Sequence, residues 1–473
     1  MPPRAELAGA SLAGAVTAPV CASCSQGAGQ TVGVAQVLDV GRREVPRWLL
    51  SPVVTVVVLF GMVAPVVFLG HHLIDLAVYR EGGEAVLHGR DLYAPSFARR
   101  LQPPLAFTYP PLAAVLAVPV AVLPHWLAGT VWTLGEMAVL VWVVDVFGRS
   151  LLERVEAAHG PARAAAARLG LAAAAAWVSP VNDHLGFGQV NLFLLALVAA
   201  DLLAPSPRWP RGLLIGVATA VKLVPGVFVL FLLVTGRRTA ARTAVLSAVG
   251  CSLLAAAVRP ATSVDYWTGA LFETGRIGAT GDFSNQSIRG VVARLTDGPA
   301  GGASWVAAAA VVLVLGLRRA RAADRAGADQ VAVVLVAMVG ALVSPITWIH
   351  HLVWLVPAVL LLVGDGGDVR RRRLGLLVTA LLWARLPYLG QNIVRHHGPL
   401  LIADPLRDAY GAVVLAVLAL LPFAGAGRGA DRRATRAAWT PAPYPLSMLT
   451  TTTPGAQEDS IPASAASPPA PTP

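Results

Sequence analysis

Long apolar runs, separated by short polar or arginine-rich segments, fill most of the chain between residues 48 and 424. The first run, 48–70, is long enough to cross about 30 Å of hydrocarbon. Further apolar runs occupy 109–124, 126–147, 164–180, 188–204, 211–234, 243–258, 303–317, 330–349, 350–364, 374–390 and 409–424. Together they predict an all-α polytopic membrane protein, a bundle of about eleven to twelve membrane segments.

Proline interrupts several of these runs, notably at Pro119, Pro225 and Pro357. Broken helices inside a membrane usually line a site rather than face lipid. We therefore expect a polar site within the bundle.

Arginines indicate how the chain is oriented. Those at 42, 43 and 47 precede the first run, which predicts an N-terminus inside the cell and an exit to the outside at residue 71. Further arginine-rich stretches resemble cytoplasmic segments: 149–168, 208–211, 237–242, 318–325 and 370–373. Strict alternation cannot place all of them inside, so either some runs are half-helices or the charge rule fails locally.

Two connecting segments, 71–108 and 259–302, are long and carry charged, aromatic and amide residues. Loops of this length are usually functional or disordered, and their composition favours function. Residues 1–46 show no sustained period and predict a disordered cytoplasmic segment, whereas 425–473 predict a disordered tail rich in Thr, Pro, Ser and Ala. The transmembrane domain is therefore expected over 47–424.

The composition agrees with a membrane protein. The 473 residues are 56% hydrophobic and 13% charged, with a mean hydropathy of +0.64, against about 25% charged residues in ordinary soluble domains. This excludes a secreted disulfide scaffold, a disordered regulator and a nucleic-acid-binding module. Arginines at helix ends account for the net charge of +11. Cys21, Cys24 and Cys251 form neither a disulfide framework nor a complete metal-binding set.

The segment after the first run contains a candidate general base. On a helix, His71, Asp75 and Tyr79 fall four residues apart on one face. Desolvation at the membrane interface would raise the pKa of Asp75, which suits a base that removes the proton of a hydroxyl. The alternative is a structural carboxylate that caps a short helix or pairs with Arg80.

Lys222 is flanked by apolar residues on both sides. A lysine at the centre of a membrane helix costs about 2.5 to 3.5 kcal/mol, so it should point inward and have an anionic partner. The alternative is snorkelling to an interface, which requires that the run 211–234 consist of two half-helices with Lys222 at the turn.

Other polar residues lie at the ends of apolar runs. Tyr93 and Tyr109 are interpreted, without further information, as aromatic residues at the level of the lipid headgroups. Gln189 and Asn191 suit sugar hydroxyls, which need paired donors and acceptors. Hydrogen bonding between helices is the alternative for these two amides.

The second long loop and the segment near residue 350 add further candidates. Arg276 suits phosphate oxygens, and Asn285 and Gln286 offer dense hydrogen bonding, although a Gly-rich loop can also be simply solvated. His350 and His351 point about 100° apart on a helix, so they are poorly placed to chelate one metal together. Their coincidence with a proline break and a tryptophan favours a site over a merely hydrogen-bonded histidine.

As a set, these short motifs resemble those of the polyprenyl-phosphate-mannose-dependent α-mannosyltransferases, glycosyltransferase family 87, which have the GT-C membrane fold. They occur in the family's order over roughly residues 50–420. The motifs are Asp75-x-x-x-Tyr79, Gly89-Arg90-Asp91-Leu92-Tyr93, Phe107-Thr108-Tyr109-Pro110-Pro111, Gly188-Gln189-Val190-Asn191, Lys222-Leu223-Val224-Pro225, Ser284-Asn285-Gln286-Ser287 and the stretch 344–351. The chain departs from the family at Val224, where threonine is common, and in both terminal extensions.

The resemblance implies that mannose passes from polyprenyl-phosphate-mannose, at the outer face of the plasma membrane, to a hydroxyl of a membrane-anchored glycan or glycolipid. The β-linked donor would yield an α-linked product, with Asp75 as the base. The departing phosphate needs positive charge and hydrogen-bond donors, a role that would fall to Lys222, Arg276, His350 and His351. Sugar hydroxyls would be bound by Gln189, Asn191, Asn285 and Gln286. The donor groove would be shaped by Tyr79, Tyr93 and Tyr109.

No cofactor beyond the lipid-linked donor is expected. The first outer loop contains no Asp-x-Asp pair, which predicts chemistry without a metal. The donor's prenyl chain would lie in a membrane-level cleft between spans.

Two alternative functions stay open on the sequence. A transporter or flippase of lipid-linked sugars would concentrate polar residues at mid-membrane, often in two similar halves, whereas here they cluster at the ends of runs and in the long loops. A GT-C transferase of another sugar, such as arabinofuranose, would share every feature described.

Overall fold

The structure is a computed structural model and describes residues 72–296 and 299–423. Within these ranges the chain is helical and contains no β-strand, and one isolated bridge joins Asn285 to Trp348. Several sequence predictions fall outside the described residues: the segment 1–46 with Cys21 and Cys24, the span 48–70, His71 and the tail 425–473.

The helices up to residue 234 are α1 (Ile74–Leu87), α2 (Pro95–Ala98), α3 (Pro111–Ala121), α4 (His125–Phe147), α5 (Arg149–His159), α6 (Pro161–Ala176), α7 (Ser179–Phe187), α8 (Asn191–Leu203), α9 (Leu213–Val221) and α10 (Val227–Val234). Those that follow are α11 (Arg238–Val258), α12 (Pro260–Asp265), α13 (Ile288–Leu295), α14 (Pro299–Arg325), α15 (Asp329–Val343), α16 (Leu355–Val363), α17 (Val369–Trp383), α18 (Leu386–Arg395), α19 (Leu400–Arg407) and α20 (Ala409–Leu420). Short 3₁₀ turns lie at Val224–Gly226, Thr274–Arg276 and Ile349–Trp354.

Three helices in the described ranges are long and apolar enough to cross a membrane: α4, α11 and the Gly302–Arg325 part of α14. Helices α6 and α7 meet at a bend of 77° and make a fourth span if they are counted as one. The remaining apolar helices are shorter: Pro111–Ala121, Asn191–Leu203, Val224–Val234, Asp329–Val343, Ile349–Val363 and Ala409–Leu420. The prediction of an all-α polytopic membrane protein is confirmed. Full-length spans are fewer than the predicted eleven to twelve or so segments, because most apolar runs form helices too short to cross about 30 Å.

The predicted proline breaks have different outcomes. At Pro225 the run 211–234 does split, since α9 ends at Val221, Lys222 is extended (φ −152°, ψ 128°) and one 3₁₀ turn leads into α10. Pro357 lies in the first turn of α16, where a missing N–H costs little. Pro119 lies inside α3, two residues before its end.

The first long connecting segment folds against the bundle through α1, which packs on α3. A Cβ added at Gly83 would come within 2.9 Å of the Ala117 carbonyl oxygen, so the small residue is what permits this close approach. Arg80 donates hydrogen bonds to the Val120 and Leu123 carbonyls, the latter at 2.8 Å, which satisfies orphan groups at the C-terminus of α3. Arg80 is thereby engaged by α3, and the predicted alternative of an Asp75–Arg80 pair does not occur.

Helix α15 lies at the centre of the bundle. Its residues from Val331 to Val339 are buried on every side, as expected for a helix that is hydrophobic all round. By contrast, α11 and α14 bury only 17% of their most apolar windows and expose leucine and valine side chains at the periphery, where lipid would contact them.

Candidate active site

A cavity of about 530 Å³ lies where the first long connecting segment, the α7–α8 connection, the break after α9 and the segment 344–351 meet. Its lining contains most of the predicted site residues: Asp75, Tyr93, Tyr109, Gln189, Lys222, Arg276, His350 and His351. Residues separated by up to about 275 positions in the chain therefore share one chamber. Of the other four predicted residues, Tyr79 and Asn191 contact this set directly, and Asn285 and Gln286 do not.

Asp75 lies in the first turn of α1, outside the membrane-length helices. The residue before this helix, Leu73, has a left-handed backbone (φ 46°) and donates its N–H to the Gly186 carbonyl at 2.9 Å, which ties the start of α1 to the end of α7. Gly188 is also left-handed (φ +66°), and a Cβ there would lie 2.8 Å from Leu76 Cβ. Close packing of the α7–α8 turn on α1 thus determines where the Asp75 carboxylate lies.

Burial and the neighbouring groups have opposite effects on the pKa of Asp75. Burial raises the pKa of Asp75 to about 6, while the charge of Lys222 and a hydrogen bond from Gln189 lower it. A carboxyl group with this pKa is ionised at neutral pH and still basic enough to accept a proton from a reacting hydroxyl. The predicted desolvation of Asp75 is therefore present, together with a cation that moderates its effect on the pKa.

Lys222 points inward from the break between α9 and α10. Its Nζ donates to Asn191 Oδ1 at 2.9 Å, lies 3.3 Å from His351 Nε2 and stands 5.3 Å from the centre of the Tyr109 ring. Within the described ranges no carboxylate forms an ion pair with it. The run is indeed two half-helices with Lys222 at the turn, but the side chain lines the cavity instead of snorkelling. It presents a positive charge to whatever occupies this chamber.

The hydrogen bonds of His351 show where its proton resides. The Trp348 N–H donates to His351 Nδ1 at 3.3 Å, so neutral His351 carries its proton on Nε2, the atom that faces Lys222. The two neighbouring groups are then both donors, and an anionic oxygen that both can reach would stabilise them. The His350 ring lies beside that of His351, with centroids 4.6 Å apart and planes at 89°.

The predicted tyrosines form one hydrogen-bonded group with Gln189. Tyr79 donates to Gln189 Oε1 at 2.7 Å, Gln189 Nε2 donates to Tyr109 Oη at 2.9 Å, and Tyr93 Oη donates to the Tyr109 carbonyl at 2.8 Å. Tyr93 and Tyr109 line the cavity, whereas Tyr79 is buried behind them. Arg276 lines the same side and stacks over the Tyr93 ring, with its guanidinium carbon 5.7 Å from the ring centre.

Asn285 and Gln286 have their amide groups engaged away from the cavity. Asn285 Oδ1 accepts the Thr347 N–H at 2.9 Å, and its Nδ2 donates to the Thr280 carbonyl. Gln286 Nε2 donates to the Arg407 carbonyl, and its Oε1 accepts the Gly411 N–H. Both side chains are buried and satisfied by backbone groups. This geometry gives the predicted sugar-binding role no support and instead ties the second loop to the segment that carries the histidines.

Several lining residues were assigned no role from the sequence, among them Tyr266 and Trp348, and Asp282 was missed altogether. Asp282 Oδ1 accepts hydrogen bonds from the Ser284 N–H at 2.8 Å and the Ser284 hydroxyl at 2.6 Å. The Asp-x-Ser spacing just before the Ser284-Asn285-Gln286-Ser287 motif is typical of such a turn and would have been the available signal.

Within residues 72–296 and 299–423, no group of three or more His, Cys, Asp and Glu side chains is arranged to hold a metal ion. The expectation of metal-independent chemistry stays a prediction.

Comparison with known proteins gives consistent matches. The model of glycosyltransferase family 87 matches residues 107–345. A polyprenol-phosphate-mannose-dependent alpha-(1-2)-phosphatidylinositol mannoside mannosyltransferase of Mycobacterium tuberculosis is 36% identical over 359 residues, which cover 73% of this chain and 83% of the relative. The protein of the same name from Mycolicibacterium smegmatis is 40% identical over 60% of this chain and 68% of its own length. A pentamannoside mannosyltransferase of M. tuberculosis is 35% identical, covering 68% of this chain and 72% of the relative. No solved structure matches significantly.

Proposed function

This chain belongs to glycosyltransferase family 87 and is an α-mannosyltransferase, and from this we propose that it transfers mannose from polyprenyl-phosphate-mannose to a hydroxyl of a phosphatidylinositol mannoside. The names of the relatives support this donor and this class of acceptor. Membership of a glycosyltransferase family favours a transferase over a flippase. The relatives are named as polyprenol-phosphate-mannose-dependent, which favours mannose over arabinofuranose as the transferred sugar. We further propose that the site opens to the outer side of the plasma membrane.

The proposal depends most on one observation, a carboxylate and a cation that line the same cavity without forming an ion pair. In the proposed step, Asp75 removes the proton from the acceptor hydroxyl while that oxygen attacks the anomeric carbon. The bond between this carbon and the phosphate oxygen breaks, and the phosphate leaves with the electron pair. The proton ends on Asp75, and a single displacement converts a β-linked donor into an α-linked product.

The departing phosphate carries the charge that develops in this step. Lys222 Nζ and His351 Nε2, 3.3 Å apart and both donors, are suited to hold one of its oxygens. Preorganised donors of this kind stabilise charge in a site that excludes water. Arg276 lies over the Tyr93 ring in the same chamber and would contact a second phosphate oxygen or the acceptor headgroup.

The donor's prenyl chain would enter an apolar crevice next to the phosphate site. This crevice runs between α8, α10 and α15 and shares Lys222 and His351 with the main cavity. Its walls include Leu194, Phe228 and Met338. An apolar channel that begins at a cation is the arrangement that an isoprenoid phosphate requires, because its head is anionic and its tail is hydrocarbon.

The test is the variant Asp75→Asn, assayed for transfer of radiolabelled mannose from polyprenyl-phosphate-mannose in membranes supplied with phosphatidylinositol mannoside. We expect loss of transfer with normal amounts of protein, since an amide of the same shape cannot accept the proton. Glu84→Gln is the matched control, because Glu84 lies on the same helix but does not line the cavity. Full activity of Asp75→Asn would refute the assignment.

A further inference from the structure

A further carboxylate and a further histidine are fully buried beside the site, and the proposed mechanism does not use them. Glu136 lies in the middle of α4, a membrane-length helix, and His184 lies on α7; both are 0% exposed. Glu136 Oε1 is 3.1 Å from His184 Nε2. Neither residue lines the cavity. Burying two ionisable side chains inside a helix bundle costs free energy. The residues that the pair contacts therefore indicate its role.

The pair is connected to the phosphate site through one backbone carbonyl. His184 Nδ1 is 3.3 Å from the His350 carbonyl oxygen. A carbonyl only accepts hydrogen bonds, so Nδ1 must carry a proton. The Leu192 N–H donates to His184 Nε2 at 3.4 Å, so Nε2 is an acceptor and the proton of neutral His184 lies on Nδ1. A protonated Glu136 carboxyl, 3.1 Å from Nε2, can donate to the same nitrogen and so reinforce the state of His184 that reaches His350.

The same carbonyl has a second donor that leads to Lys222. Asn191 Nδ2 lies 3.4 Å from the His350 oxygen, while Asn191 Oδ1 accepts from Lys222 Nζ. His350 is thus held from two sides at the start of a 3₁₀ turn, and the next residue, His351, faces Lys222. This segment includes a non-helical residue, Leu352 (φ −84°, ψ 28°), so its own backbone hydrogen bonds determine its path poorly.

We propose that Glu136 and His184 are positioning residues for mannosyl transfer, which hold the His350–His351 turn so that His351 Nε2 and Lys222 converge on the donor phosphate. This inference rests on the proposed function of the site. It predicts that the pair influences binding of the phosphate-bearing donor much more than binding of the glycolipid acceptor.

The test compares substitutions that differ only in which ring nitrogen they imitate. In His184→Asn the amide nitrogen takes the place of Nδ1 and can still donate to His350, whereas in His184→Gln it takes the place of Nε2 and cannot. We expect His184→Gln to raise the KM for polyprenyl-phosphate-mannose about tenfold, the effect of a misplaced hydrogen bond to a charged group. The KM for the acceptor should change little, and His184→Asn should stay within about threefold of wild type.

Glu136 is tested by the same logic with a second pair of variants. Glu136→Gln can still donate to Nε2, whereas Glu136→Leu leaves the Leu192 N–H as the remaining donor to that nitrogen. We expect the first to resemble wild type and the second to raise the donor KM, though less than His184→Gln does. All kinetic constants refer to the monodisperse fraction in detergent micelles, so that a loss of folded protein is counted separately.

Two outcomes would overturn the inference. The first is that the folded fractions of His184→Gln and Glu136→Leu have wild-type KM values for the donor. The second is that the KM values for donor and acceptor rise equally and that His184→Asn and Glu136→Gln do not restore them. In either case the pair only supports the fold. If the wild-type enzyme itself transfers no mannose from polyprenyl-phosphate-mannose, the proposed function fails instead, and the two failures are thereby distinguished.

Discussion

Replacement of Lys222 by methionine removes a charge and keeps the length of the side chain. Lys222 contacts Asn191 Oδ1 and His351 Nε2 and forms no ion pair within the described ranges. In the proposed mechanism Nζ also donates a hydrogen bond to the donor phosphate. The substitution removes this hydrogen bond to a charged group, which costs about 1.5 to 3 kcal/mol of binding free energy. That corresponds to a fall of about 10- to 150-fold in kcat/KM, since about 1.4 kcal/mol is a factor of ten. The loss should appear mainly as a raised KM for the donor.

The same substitution has a second, independent consequence. The Lys222 charge lowers the pKa of Asp75 against the larger effect of burial. Removal of the charge should therefore raise that pKa, and the acidic limb of kcat/KM should move to higher pH. Only the ionised form of Asp75 acts as the base, so activity at low pH falls further in the variant than at high pH.

The assay is transfer of radiolabelled mannose by purified enzyme, measured against donor concentration at several pH values. Lys222→Arg, which keeps the charge, serves as the control and should leave the pH limb in place even if its geometry lowers kcat. Folding should not suffer in Lys222→Met, because a buried charge has been removed. Unchanged donor KM together with an unchanged pH limb would refute both the phosphate-binding role of Lys222 and its coupling to Asp75.

Three further predictions concern the base, the turn beside it and metals. In the wild-type enzyme, kcat/KM should rise with pH and level off above about 6, the pKa of Asp75; a profile that stays flat through this range would contradict the assignment of the base. Gly188→Ala should lower both Tm and activity, because a left-handed backbone costs a non-glycine residue about 1 to 2 kcal/mol and the new Cβ would lie 2.8 Å from Leu76 Cβ. Its control is Gly170→Ala in α6, where nothing lies within 4 Å of the new Cβ and a gain of about 1 kcal/mol is expected; equal effects of the two variants would argue against close packing at Gly188. EDTA should leave transfer unchanged, and a loss that Mg²⁺ or Mn²⁺ restores would overturn the metal-independent mechanism.

The residues that could be placed correctly from the sequence are those whose position depends on local spacing. The four-residue spacing of Asp75 and Tyr79 requires only that α1 be a helix, and both residues do turn toward the site. Lys222 was equally accessible to such reasoning, because a lone cation among apolar residues has few acceptable surroundings. Each of the two predictions for Lys222 is correct in part, since the residue lies at a helix break and its side chain still points inward.

What the sequence could not predict depends on partners that are distant along the chain. Read alone, Asn285 is suited to sugar hydroxyls, yet its amide oxygen accepts the N–H of Thr347, 62 residues away. Glu136 was passed over within an apolar run because its partner, His184, belongs to another helix. The sequence shows that a polar residue, once buried, needs a hydrogen-bond partner. Only the fold determines whether that partner is a ligand or the backbone.

The two breaks in the apolar runs explain how Lys222 and His351 come together at this depth of the bundle. On an uninterrupted helix the Lys222 side chain would project outward and lean toward the N-terminus, whereas the extended backbone at the end of α9 turns it toward Asn191 and His351. The segment 344–348 between α15 and the next 3₁₀ turn supplies the N–H of Trp348 that orients His351. Irregular backbone is tolerated in a membrane protein where it lines a cavity, because its polar groups then find partners away from lipid. In this protein the same irregular segments create the cationic end of the cavity, so its position follows from where the helices stop.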